Sequence, residues 1–138
     1  MGKALTERLR AEFPGAHLRA LGTNALATSA MLRAGADDGA TGENALVFNL
    51  RLAELIVGPV GMLMPNGLLG EVTVSMAQAV GDSAAPKVLL PSSSCGIHLA
   101  LDREPSMQQS LGSCIAKVRS LLAGYELTRG AAASLTCI

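Results

Sequence analysis

Residues 17–33, HLRALGTNALATSAMLR, contain a short apolar segment, a polar turn and an alanine-rich segment in direct succession. The first segment, 17–21, predicts a short strand, and 25–33 predicts a helix because its pattern suits the helical period. Thr23 or Asn24 can cap that helix through a side-chain oxygen. Alanine side chains are small, so the helix can lie close against a sheet. This stretch therefore predicts one strand–turn–helix unit of an α/β domain.

The same unit recurs along the chain, with helices alternating with single short apolar strands. Further strands are predicted at 54–57 and 87–90, with a short final one at 97–101, and further helices at 3–13, 43–51, 74–81 and 105–125. Strands separated by helices run parallel, joined by crossovers that cover both faces of the sheet. The predicted fold is α/β, with a doubly wound, mostly parallel, Rossmann-like sheet in three layers.

One domain is expected over residues 1–125, because a chain of 138 residues fits a single core. Residues 126–138 lose the helical pattern and are predicted to form a loose C-terminal tail. The stretch 35–42, GADDGATG, has too many glycines for regular structure, so a mobile loop is expected there.

Composition excludes several classes of protein. Hydrophobic residues make up 49% of the chain and charged residues 16%, which excludes disorder. The formal net charge is zero, so the sequence predicts no nucleic-acid partner and no membrane partner. Three cysteines without metal-ligand spacing predict no metal site and a reducing, cytoplasmic location. The chain also lacks the P-loop, GxSxG, HExxH and complete GxGxxG motifs.

Several segments together resemble an uncharacterised bacterial family of Rossmann-like domains, the domain of unknown function 3842. The resemblance runs from residue 2 to about 122 and is carried by LGTNALATSAMLRAGA (21–36), GATGENA (39–45), IVGPVGML (56–63), NGLLGEVT (66–73), Met76-Ala77 and KVLLP (87–91) with Cys95 four residues later. It implies a fold and a ligand site, but no reaction.

Family members look as if they begin with a strand and a glycine-rich loop ending in Gly-Lys, of which only Gly2-Lys3 is present here. The resemblance therefore implies that the first strand is missing, through a misassigned start or a truncated gene copy. A missing central strand would leave an open slot with unpaired backbone groups on both sides. On this basis we expect a homo-oligomer, or self-association through the open sheet.

Ligands of open α/β sheets bind beyond the carboxyl ends of the strands, where this chain has small and polar loops. A nucleotide, dinucleotide or phosphorylated metabolite lying across these loops is one interpretation; tight turns and helix caps without any ligand are the other. The GATGEN segment can act as a ligand clamp or only as a helix start, and Lys3 can face a phosphate or only solvent. The candidate ligand-binding residues are Gly22, Thr23, Asn24, Thr41, Gly42, Glu43, Asn44, Gly58, Pro59, Gly61, Asn66, Ser92 and Ser93.

Three side chains are candidate catalytic groups. Glu43 can act as a base or favour the dipole of its helix, and Glu71 can act as an acid–base group or be an exposed turn residue. Cys95 follows a predicted strand, as an exposed nucleophile would, but no activating base is evident. The function therefore stays open between a binding domain, a small enzyme using Glu43 or Glu71, and a non-catalytic regulatory or structural subunit.

Overall fold

The computed structural model describes residues 1–92, 96–129 and 132–138. The described chain contains a five-stranded sheet, five α-helices and a short 3-10 helix. Their bounds are α1 Gly2–Glu12, β1 His17–Gly22, α2 Ala25–Arg33, β2 Asp38–Thr41, α3 Glu43–Leu50, β3 Leu55–Pro59, the 3-10 helix Val60–Leu63, α4 Val74–Asp82, β4 Lys87–Leu90, α5 Met107–Arg129 and β5 Ser134–Cys137.

All strands of the sheet run parallel, in the order β2-β1-β5-β3-β4. One hydrophobic cluster joins α1, α2 and α5 to one face of the sheet, and a second joins α3 and α4 to the other. The three-layer α/β prediction is therefore confirmed. Because the strands are parallel, their carboxyl ends meet at one edge of the sheet.

The centre of the sheet is occupied by β5, and the prediction of a loose C-terminal tail is wrong for this segment. Leu135 and Cys137 have no exposed surface, and β5 pairs with both β1 and β3. The expected open slot is thus filled by a strand that follows α5 rather than by one that precedes α1. Self-association through that slot loses its basis.

The outer strand β2 contradicts the prediction of a loop over residues 35–42. Glycine is needed within this strand, because a Cβ on Gly39 would lie 2.8 Å from the carbonyl oxygen of Ala20. Asp38 accepts two hydrogen bonds from the Arg19 guanidinium, at 2.8 and 2.7 Å. These bonds lower the pKa of the Asp38 carboxyl below its ordinary value. Tertiary pairing with β1 thus overrides the low strand propensity of the segment.

Other predicted elements agree more closely with the structure. The bounds predicted for α2 and β4 match those observed, and the Asn24 side chain caps α2 by accepting from the Ala27 amide at 2.9 Å. Residues 97–101 form no strand, so that prediction is wrong. Cys114 is buried in the hydrophobic cluster, as expected, and burial raises the pKa of its thiol to about 11.

Among the described residues, no helix combines the length and the apolar character that crossing a membrane requires.

Candidate functional site

A cavity of about 380 Å³ lies at the carboxyl edge of the sheet. Its walls include the residues at the ends of three strands: Gly22 of β1, Pro59 of β3 and Ile138 after β5. The helices that follow β1 and β3 pack on opposite faces of the sheet. This is the switch point at which doubly wound domains bind their ligands. The volume also falls within the range of small-molecule sites, roughly 300–1,000 Å³.

One wall of the cavity is polar and contains two residues of the β1–α2 turn. The Thr23 hydroxyl donates to Glu71 Oε2 at 2.7 Å, and the Asn24 side-chain amide donates to the same oxygen at 3.1 Å. These two hydrogen bonds connect the segment after β3 to the turn after β1. Ser92, which follows β4, also lines the cavity.

The remaining wall is apolar and comes from both sheet faces. Its larger side chains are Met1, Leu21, Met31, Met62, Leu68 and Ile138. All but Met1 and Leu68 are buried, so most of this wall is a fixed surface. A ligand with an apolar or ring portion and a polar end suits this combination of walls.

The first turn of α1 also borders the cavity through Gly2 and Lys3. No side chain of the described part of the chain caps this helix. Amide N–H groups in a first helical turn have no partner within the helix, and the helix dipole makes this end partly positive. The ammonium group of the exposed Lys3 pairs with the Glu7 carboxylate at 3.5 Å. This end of the cavity therefore favours an anionic group.

Several residues predicted to bind a ligand lie outside the cavity lining. Thr41 is the last residue of the outer strand β2, and Gly42, Glu43 and Asn44 follow it. The Thr41 hydroxyl lies 2.7 Å from that of Thr28, and the Gly42 amide donates to the Gly22 carbonyl at 3.0 Å. These contacts favour the helix-start interpretation of the GATGEN segment over the clamp.

Of the other predicted positions, some line the cavity and some do not. Gly22, Thr23, Asn24, Pro59 and Ser92 line the cavity, whereas Gly58, Gly61 and Asn66 do not. Ser93 and Cys95 lie outside the described residues. Of the two acid–base candidates, Glu71 lines the cavity and Glu43 does not.

Gly22 and Gly58 have packing roles that the sequence did not indicate. A Cβ on Gly22 would lie 2.8 Å from the Thr28 amide nitrogen, and one on Gly58 would lie 2.7 Å from the Ile138 carbonyl oxygen. Both glycines therefore allow close approach of neighbouring backbone, independently of any ligand. The apolar wall was also missed, because single buried leucine and methionine residues carry no site signal in a sequence.

The described residues contain no group of three His, Cys, Asp or Glu side chains that could hold a metal ion. No curated protein and no solved structure matches the chain. One family model does match, over residues 1–123, which is most of the chain. The chain therefore belongs to the family described as domain of unknown function DUF3842.

Proposed function

We propose that the cavity at the carboxyl edge binds a small phosphorylated ligand, of the nucleotide or sugar-phosphate class. One observation carries the proposal: the uncapped start of α1 and the polar turn after β1 border the same cavity. The first supplies amide donors and positive potential for a phosphate. The second supplies hydrogen-bonding groups for the rest of the ligand.

The electrostatics of the cavity support an anionic end on the ligand. Lys3 lies in the first turn of α1 at the cavity. Its ammonium group contacts the Glu7 carboxylate at 3.5 Å, and a phosphate would take the place of this exposed partner. Hydrogen bonds between a cation and a phosphate are stronger than neutral ones, so the phosphate supplies much of the affinity. The apolar wall then packs against the face of a sugar or base ring, and the polar turn after β1 supplies partners for its polar atoms.

Titration calorimetry with adenosine 5′-phosphate and ribose 5-phosphate, each beside its unphosphorylated form, tests the proposal. We expect the phosphorylated compounds to bind at least about tenfold more tightly, since each tenfold corresponds to about 1.4 kcal/mol. Lys3→Glu should weaken that binding about tenfold through loss of one charge-assisted contact. The variant should still fold, because glutamate is favourable in a first helical turn.

Lys117→Glu is the matched control, since Lys117 is an exposed lysine of α5 that does not line this cavity. Its affinity should equal that of the unaltered protein. Equal binding of phosphorylated and unphosphorylated compounds, or equal losses in the two lysine variants, would contradict the proposal.

A further inference from the structure

The carboxylate of Glu71, an exposed residue, is held in the cavity wall by two hydrogen bonds. Both of its hydrogen bonds from the β1–α2 turn end on Oε2, one from Thr23 and one from Asn24. A carboxylate has about four acceptor sites and no donor. The carboxylate can therefore accept further hydrogen bonds from a ligand, but it has no hydrogen to donate to one.

Residues 66–72, which include Glu71, form a turn that is held by hydrogen bonds between its own backbone groups. The Asn66 amide donates to the Val72 carbonyl at 2.7 Å, and the Val72 amide donates to the Gly67 carbonyl at 3.1 Å. Val72, the next residue along the chain, is fully buried in the hydrophobic cluster of α3 and α4. The position of Glu71 is therefore set by the turn rather than by a freely moving loop.

Strain in the same turn points to a functional role for it. Asn66, Leu68 and Leu69 have φ angles of 62°, 53° and 58°. These are left-handed conformations that leucine adopts rarely, and such residues concentrate at ligand sites. Leu68 lines the cavity, whereas Leu69 is entirely exposed and contributes no burial that would offset the strain. The turn thus keeps an unfavourable backbone while holding Leu68 and Glu71 at the cavity.

We infer that Glu71 is a specificity-determining residue, which accepts hydrogen bonds from hydroxyl groups of the ligand and rejects a second anionic group. The inference rests on the proposed function, since it concerns the same cavity. A vicinal pair of sugar hydroxyls supplies the donors that a carboxylate needs. A phosphate in their place would face the Glu71 charge and be repelled. The substrate class is accordingly a sugar or nucleoside monophosphate with free hydroxyl groups.

Three probes separate hydrogen bonding by the ligand hydroxyl groups from repulsion of a second phosphate. They are adenosine 5′-phosphate, its 2′,3′-dideoxy form, and adenosine 2′,5′-bisphosphate. The unaltered protein should bind the first about tenfold more tightly than either of the others. Glu71→Gln keeps the shape of the side chain but removes its charge. This variant should gain about tenfold for the bisphosphate and lose most of the discrimination against it.

Asp102→Asn is the control, because it removes an exposed carboxylate that does not line the cavity. An equal gain for the bisphosphate in this variant would assign the effect to net charge and overturn the inference. Equal binding of all three probes to the unaltered protein would overturn the inference while leaving the proposed function intact. Binding of none of them would overturn the inference, and the absence of ribose 5-phosphate binding as well would overturn the proposed function.

Discussion

Replacing Gly58 with valine is expected to destabilise the whole sheet, by about 3 kcal/mol. Gly58 is buried in β3, and any side chain there would overlap the Cγ1 atom and the carbonyl oxygen of Ile138. Since Ile138 directly follows β5 and its amide donates to the Val57 carbonyl at 2.9 Å, the overlap would push the end of β5 out of the sheet. Urea unfolding followed by circular dichroism measures the loss.

Gly81→Ala provides the matched control. Gly81 lies in α4 with open space around its Cα, and alanine stabilises a helix relative to glycine by roughly 0.5–1 kcal/mol. The two glycine variants should therefore change stability in opposite directions. Unaltered stability of Gly58→Val would show that β5 does not end against Gly58.

Leu135→Ala is expected to cost about 3–4 kcal/mol, because it opens a cavity in the central strand. Leu135 has no exposed surface and pairs on one side with Leu18 and on the other with Leu55. The same truncation at Leu52, which is 61% exposed, should change stability by less than about 0.5 kcal/mol. The comparison decides between a central strand and a loose tail, since truncation in a tail would change the free energy of unfolding no more than the control.

Local patterns sufficed to predict the fold class and the bounds of α2 and β4, because each of these elements has its own period, cap or turn. They failed for β5, Ser134–Cys137, whose sequence SLTC mixes polar and apolar residues, whereas the equally short β4 has the apolar run VLL. This segment becomes a strand because it fits between β1 and β3, and that neighbourhood cannot be read from local sequence. Leu135 and Thr136 do favour strands, and they were the available signal.

The residues of the candidate site also differ in whether the local sequence could predict them. Gly22, Thr23 and Asn24 could be predicted because a polar turn after a strand faces the ligand edge of any doubly wound sheet. The bonds from Thr23 and Asn24 to Glu71 join positions nearly 50 residues apart, at separations of 48 and 47. No local pattern indicates such a pairing, so Glu71 appeared only as an isolated candidate.

We expect a phosphorylated ligand to bind where the start of α1, the β1–α2 turn and the turn of residues 66–72 meet. Backbone amide chemical shifts of the isotope-labelled protein, recorded while adenosine 5′-phosphate is added, test it most directly. The largest changes should fall at Lys3, at residues 22–24 and at residues 68–71. Changes confined to residues 41–44, or to a second groove that β4 and α5 form around Leu89 and Leu121, would contradict this expectation, as would the absence of any change.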